Sequence, residues 1–218
     1  AYTPPTSLIG SNTLMKIPNF SDLGLAPSVL KSIQKLGYEK PTPVQEKSIP
    51  ILIAGMNLLG TAQTGTGKTA AFALPLISRL DDIQKSPQIL VVTPTRELTI
   101  QVAEAFHRYA KFVKNFYIVP IYGGSDVRAQ LKALKRGVQV VVGTPGRLLD
   151  HISRNSLDLS NLRSLVLDEA DEMLNMGFYD DIKDILKNTP NNKDSWLFSA
   201  TMPPEVNAIA KKFMFHSN

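Results

Sequence analysis

Residues Ala62-Gln63-Thr64-Gly65-Thr66-Gly67-Lys68-Thr69 follow the short apolar run Leu58-Leu59-Gly60 and precede a helix-like segment, Ala70-Ala71-Phe72-Ala73-Leu74-Pro75-Leu76-Ile77. Two glycines let the backbone curl until consecutive N–H groups converge on a phosphate, and the following helix adds the positive end of its dipole. Lys68 can reach the outer phosphates of a nucleotide, and the Thr69 hydroxyl can ligate Mg²⁺. The phosphate-loop pattern asks for glycine at its first position, where this chain has Ala62. A plain glycine-rich turn is the alternative reading of the stretch taken alone.

Outward from this loop, strand-like runs recur: Ile89–Thr93, Tyr117–Ile121, Val138–Val142, Leu162–Leu167 and Ser195–Ser199. Several are nearly continuous in β-branched or aliphatic residues, as strands covered on both faces should be. Helical stretches lie between most of them, notably Arg96–Val113, Val127–Lys135 and Tyr179–Asn188. This alternation predicts an α/β fold with an open, mostly parallel sheet and helices on both faces. Ligands in such a sheet bind beyond the carboxyl ends of the strands, where every polar motif described below is expected to lie.

The chain of 218 residues suits one domain, with residues 1–15 expected to be a flexible lead-in and residues 16–218 the domain itself. It has no cysteine, which excludes a disulfide framework and a thiolate metal site. No apolar run is long enough to cross a membrane, and the opening residues do not read as a signal peptide, so a cytoplasmic location is expected. The formal charge of +5 is spread along the chain and permits a polyanionic partner at a localised site without demanding one.

Before the phosphate loop, Pro27–Leu36 reads as an amphipathic helix with Val29, Leu30, Ile33 and Leu36 on its core face, ended by Gly37. Thr42-Pro43-Val44-Gln45 has the spacing of a capping box. Gln45 is then either a cap returning to the Thr42 N–H or an amide held firmly enough to read a base edge.

The run Leu165-Val166-Leu167-Asp168-Glu169-Ala170-Asp171 delivers acidic residues to a strand end. Asp168 can hold Mg²⁺ through water while Thr69 supplies the other protein ligand. Glu169 can orient and deprotonate the water that attacks the γ-phosphate. In the next strand end, the hydroxyls of Ser199 and Thr201 can bond to Asp171 or cap a helix that begins near Pro203. Two other strand ends, Pro94-Thr95-Arg96 and Thr144-Pro145-Gly146-Arg147, put Thr, Pro and Arg where a helix begins. With the flexible pair Gly123-Gly124 they can follow the phosphates of one nucleic-acid strand. Ordinary capping is the competing account of each turn. No aromatic residue is interleaved with them, so backbone shape rather than base stacking is the expected readout. His107, His151 and His216 lack metal-ligand spacing and read as surface or helix-end residues. Trp196 reads as core, and Met173 and Met176 as packing below the acidic loop.

Taken together, these motifs resemble the amino-terminal RecA-like P-loop NTPase domain of DEAD-box ATP-dependent RNA helicases, over roughly residues 18–215. The acidic run Asp168-Glu169-Ala170-Asp171 matches the family's namesake, and Ala62 is the residue this family uses. The wording Leu148-Leu149-Asp150-His151 and Asp171–Phe178 looks most like the bacterial cold-shock and ribosome-assembly branch. The resemblance implies that Gln45 hydrogen-bonds adenine, that Phe20 packs on the base, and that Lys40 and Thr64–Thr69 complete the nucleotide site. It implies ATP and Mg²⁺ as ligands, with Lys68, Asp168 and Glu169 catalytic. Pro94, Thr95, Arg96, Gly123, Gly124, Thr144, Pro145, Gly146 and Arg147 would contact single-stranded or duplex RNA by its backbone, and Asp171, Ser199 and Thr201 would couple hydrolysis to strand separation. The family continues into a second RecA-like domain that carries the arginine finger, so this chain alone is expected to be a nearly inactive monomer. The rival readings are a phosphate-loop ATPase acting on DNA or proteins, and a nucleotide-responsive binding module without turnover. The presence of Glu169 argues against the latter.

Overall fold

The β-rich segments are short and almost wholly apolar: Ile89–Val92 (β2), Val140–Gly143 (β4) and Ser164–Leu167 (β5) are buried at every position. Only a strand covered on both faces tolerates that pattern. In the computed structural model, which describes residues 19–63 and 65–214, three further strands join them: Leu58–Thr61 (β1), Ile118–Ile121 (β3) and Asp194–Ser199 (β6). All pairings are parallel, in the order β1-β6-β5-β2-β4-β3.

The helices, in chain order, are Pro27–Lys35 (α1), Pro43–Ile53 (α2), Lys68–Ser78 (α3), Arg96–Tyr109 (α4), Val127–Arg136 (α5), Pro145–Ser153 (α6), Ala170–Asn175 (α7), Tyr179–Lys187 (α8) and Pro204–Ile209 (α9). Alternate strand residues serve different faces. Ile89, Val91, Val140, Val142, Val166, Trp196 and Phe198 pack with residues of α1 to α4, while Leu90, Val92, Val141, Leu165, Leu167 and Leu197 pack with residues of α6 to α9. Connections that step along the sheet from β1 to β2 to β3 use the first face, and those stepping back through β4, β5 and β6 use the second. Right-handed crossovers require that change of face when the direction of travel reverses.

Strand register positions the polar residues. Val92 is level with Gly143 and with Leu167, so Thr93, Thr144 and Asp168 each emerge one step beyond the same row. Thr61 is level with Ser199, which aligns the start of the phosphate loop with the end of β6. Among the described residues no helix is long and apolar enough to cross a membrane.

Three expectations need correction. The helix that begins at Arg96 ends at Tyr109 rather than Val113. The chain turns there, with Asn115 at φ 57° and the buried Gln139 amide bonded to Asn115 O at 2.6 Å and to Tyr117 N–H at 2.7 Å. Leu36 caps α1 and is 41% exposed instead of packing in the core. Met173 is buried as expected, but Met176, at the end of a short helix, is 46% exposed. Trp196 is fully buried, with its indole N–H donating to Met56 O at 3.1 Å. The expected lead-in at residues 1–15 lies outside the described residues.

Candidate functional site

The phosphate loop bridges the end of β1 and the start of α3. Gly65 and Gly67 have φ of 85° and 80°, a left-handed backbone that glycine enters without steric cost. Gly67 faces a second constraint, because a Cβ there would overlap the Gln45 amide nitrogen and crowd Thr42. Ala62 is buried in the core, and its N–H donates to Ser199 O at 3.2 Å. The departure from glycine is thus a packed position. Thr66 Oγ1 donates to Gln63 O at 2.6 Å, holding the turn closed. Thr69 is half-buried on the first turn of α3, and Thr64 lies outside the described residues.

Lys68 opens α3 and is only 6% exposed. Its Nζ lies 2.7 Å from Asp168 Oδ1 and 3.5 Å from Glu169 Oε1. Asp168 is fully buried, and no hydrogen-bond partner reaches its Oδ2. Burial pushes the Asp168 carboxyl up from the usual carboxylate range, against the opposing pull of the Lys68 ammonium. A buried carboxylate oxygen without a partner is costly unless something polar meets it. Next to the lysine of an anion-binding loop, that oxygen fits a hydrated Mg²⁺, which takes few protein ligands and keeps several waters. Consistent with so sparse a donor set, no group of three or more His, Cys, Asp or Glu forms a metal cluster among the described residues.

Glu169 has φ 53° and ψ 53°, left-handed values that a non-glycine residue adopts at a cost of about 1–3 kcal/mol. This conformation turns the chain sharply from β5 into α7. The Glu169 side chain is 28% exposed, against none for Asp168, so two adjacent carboxylates meet different environments.

Asp171 Oδ2 accepts from Thr201 N–H at 3.0 Å and from Thr201 Oγ1 at 2.8 Å, while the Asp171 N–H donates to Ser199 Oγ at 3.1 Å. Burial alone would raise the Asp171 carboxyl; hydrogen bonds from Thr201 and Ser199 outweigh it and hold the group below the usual carboxylate range. The two hydroxyls therefore bind the acidic loop and do not cap α9, whose N-cap is Pro203.

Gln45 does what its spacing suggested and more. Its Oε1 accepts the Thr42 N–H at 3.0 Å, and its own N–H donates to Thr42 Oγ1 at 3.4 Å, which completes the capping box. Its Nε2 donates to Gly67 O at 3.1 Å, so the same amide fastens α2 to the phosphate loop. Phe20 is 4% exposed with its ring centroid 6.4 Å from that of Tyr38, which leaves little of the ring open to a base. Lys40 is exposed.

The Thr-Pro turns lie at the ends of β2 and β4. Pro94 and Pro145 are buried and shape the turns, while Arg96 and Gly146 are exposed and Arg147 is half-buried. Thr95 Oγ1 caps α4 by accepting from Leu98 N–H at 3.1 Å, whereas Thr144 makes no side-chain cap bond. Gly123 and Gly124 are both exposed, and a Cβ on Gly123 would lie 3.9 Å from Arg147 Nη2. Arg147 Nε also lies 3.8 Å from Asp150. The Arg96 guanidinium stands over the Tyr122 ring, 5.1 Å from its centroid. An aromatic residue therefore does stand among these turns, contrary to expectation; it comes from the end of β3, which β4 separates from β2. His151 is also a correction: it is helix-end as expected but buried, bonded to Ser156 and Gln130 at 2.8 Å each. His107 is exposed at the end of α4, and His216 lies outside the described residues.

A parallel sheet whose edge strand feeds a left-handed glycine loop, with a lysine locked to a buried aspartate on another strand end, defines a phosphate-loop nucleotide-binding domain of the RecA type. The chain belongs to the DEAD/DEAH box helicase family, whose pattern matches residues 42–209. It is 55% identical over 195 residues to proteins named ATP-dependent RNA helicase DeaD from Buchnera aphidicola (subsp. Schizaphis graminum) and Mycobacterium tuberculosis, and 54% identical to that of Escherichia coli K12. Each match covers 89% of this chain but only 31–35% of the relative, so the chain spans about a third of the length of these curated relatives. A crystal structure of a DEAD box protein from Methanococcus jannaschii superposes with a TM-score of 0.86 at 48% identity, covering 91% of this chain and 54% of the archaeal one.

Proposed function

We propose that this chain is the ATP-binding and RNA-backbone-binding part of an ATP-dependent RNA helicase whose longer form carries a second RecA-like domain. The observation that carries this reading is the Lys68–Asp168–Glu169 cluster beside the glycine loop, on the same sheet edge as two Thr-Pro-Arg turns.

On this reading the backbone N–H groups of Gly65 to Thr69 and the Lys68 ammonium hold the β- and γ-phosphates of ATP. Lys68 is already oriented by Asp168, and a phosphate competes with that carboxylate for its ammonium. Thr69 and Asp168 hold Mg²⁺, the latter through water, and the ion supplies charge neutralisation of the phosphate oxygens. Glu169 accepts the proton of the attacking water as its oxygen bonds to the γ-phosphorus and the bond to the β–γ bridging oxygen breaks, leaving ADP and phosphate. Gln45 serves adenine while staying tied to Gly67, and the exposed Lys40 with the small open part of the Phe20 ring completes the nucleotide end. RNA lies along Arg96, Gly123, Gly124, Thr144, Gly146 and Arg147, with Pro94, Thr95 and Pro145 shaping the turns. Asp171, bonded to Ser199 and Thr201, passes strain at the nucleotide to the end of β6, and so couples hydrolysis to local duplex opening. A cytoplasmic setting and structured ribosomal RNA as the material remodelled go with the bacterial branch it resembles.

On this reading the 218-residue chain relies on an arginine from the second domain, which in related hydrolases is worth roughly 10³–10⁵ in rate. It is therefore expected to be a monomer that binds adenine nucleotide weakly, hydrolyses ATP negligibly and does not unwind RNA. The deciding experiment compares ATPase and unwinding by this chain with those of a chain extended through the second domain. RNA-stimulated hydrolysis by the 218-residue chain alone would overturn this division of labour. In the extended protein, Glu169→Gln should keep ATP and RNA binding while abolishing turnover.

A further inference from the structure

Helix α5, which follows the glycine pair, buries only one of its residues, and that residue is a glutamine. Gln130 is 4% exposed and its amide is used at both ends. Its Nε2 donates to Tyr122 O at 3.3 Å and also meets Ser125 Oγ, whose hydroxyl donates to the same Tyr122 carbonyl at 2.8 Å. Both partners flank Gly123-Gly124. At the other end, Gln130 Oε1 lies 2.8 Å from Nε2 of His151, a fully enclosed side chain of α6. His151 Nδ1 lies 2.8 Å from Ser156 Oγ in the turn after α6.

The protons of this chain are dictated by its ends. Tyr122 O can only accept, so the Gln130 amide must face it with nitrogen and face His151 with oxygen. That oxygen requires a donor, which fixes the proton of His151 on Nε2. Burial and the nearby Arg147 and Arg154 disfavour the imidazolium, which leaves Nδ1 an acceptor; the Ser156 hydroxyl faces it at 2.8 Å and faces the His151 carbonyl oxygen at 3.0 Å, so the two acceptors share its proton.

From this we infer that His151 and Gln130 are positioning residues for RNA binding: through a buried hydrogen-bond relay they fix the Tyr122–Ser125 loop against the helix that begins with Thr144-Pro145-Gly146-Arg147. The inference rests on the proposed RNA surface. It adds a named cause for the relative placement of two of that surface's phosphate-binding turns. An apolar contact would leave the glycine pair free to slide; a directional relay sets one position. Arg147 emerges from the first turn of α6, His151 lies one turn further on, and the loop is tied to that same helix.

The test measures binding of a short fluorescent oligouridylate by anisotropy at low salt, and of a fluorescent adenine nucleotide, for four variants. His151→Phe keeps the volume but removes the donor; His151→Gln restores an N–H near the Nε2 position. His151→Phe should weaken RNA binding about five- to tenfold, the worth of one hydrogen bond to a positioned loop, with nucleotide affinity unchanged. His151→Gln should recover most of the loss, and amide exchange at Tyr122–Ser125 should be faster only in the Phe variant. Ser125→Ala, on the loop itself, decides the matter by the same RNA readout if the Phe variant does not fold. Arg147→Ala is the control for the surface. If Arg147→Ala weakens RNA binding while His151→Phe (or Ser125→Ala) binds RNA like the unmodified chain, the relay is overturned and the surface stands. If none weakens it, the RNA surface itself is wrong, and the relay's role falls with it.

Discussion

Gly67 is held by its backbone and by its neighbour at once. Its left-handed φ disfavours any side chain by about 1–2 kcal/mol, and the Gln45 amide occupies the space a Cβ would need. Gly67→Ala is therefore expected to lower stability by at least about 1 kcal/mol in urea unfolding and to sever the bond that ties Gln45 to the loop, with loss of nucleotide affinity. Wild-type affinity and an unchanged unfolding midpoint in this variant would show that the loop is not so constrained. His151 gives a pH signature. In the unfolded chain it takes its proton near 6.5; in the folded protein burial, Arg147 and Arg154 lower that value, and Asp150 opposes them only in part. Below 6.5 the unfolded chain binds the proton first, so the stability His151 contributes is complete above that pH and is lost as pH falls through the folded value. Thermal midpoints against pH should fall on the acid side of 6.5 for the unmodified chain and fall less steeply for His151→Gln.

The elements differ in what holds them. Helix α6 is fixed by Leu148, fully buried against Gly143, where any Cβ would collide with the leucine and with Ile121 O. Leu148→Ala should cost about 2–5 kcal/mol, read as a lowered denaturation midpoint. Helix α7 buries Ala170 and Met173 in the core and is fastened further by polar bonds from Asp171 to Thr201 and Ser199. Thr201→Val should cost only about 1 kcal/mol in stability, while disturbing the Glu169 turn next to it. The strands and the loop–helix junctions were legible in the sequence because their signals are local. Runs such as Val138–Val142 advertise double-sided burial, Gly67 and Lys68 advertise an anion turn, and Thr42-x-x-Gln45 advertises its cap. What stayed hidden was set by partners distant in the chain. Nothing near Arg96 announces that Tyr122 lies beneath it, and nothing near His151 announces Gln130. The turn that follows α4 is likewise tied to Gln139, thirty residues beyond Tyr109.

At the scale of the molecule, the sheet gathers chemistry from opposite ends of the sequence onto one edge. Gln45, Lys68, Asp168 and Thr201 meet there although the first and last are 156 residues apart. That topology has a temporal consequence. Among the described residues, the strand that leads into the phosphate loop, β1, pairs with β6 alone, whose residues follow those of the other five strands in the chain. As the protein leaves the ribosome, β1 must wait for residues 194–199 before this pairing can form, a wait that long-range parallel pairing makes slow. Chains ended before Asp194 should show no nucleotide binding however much of the remaining sheet they form. The strand that carries the phosphate loop is thus synthesised early and paired late, and ATP binding reports the arrival of β6.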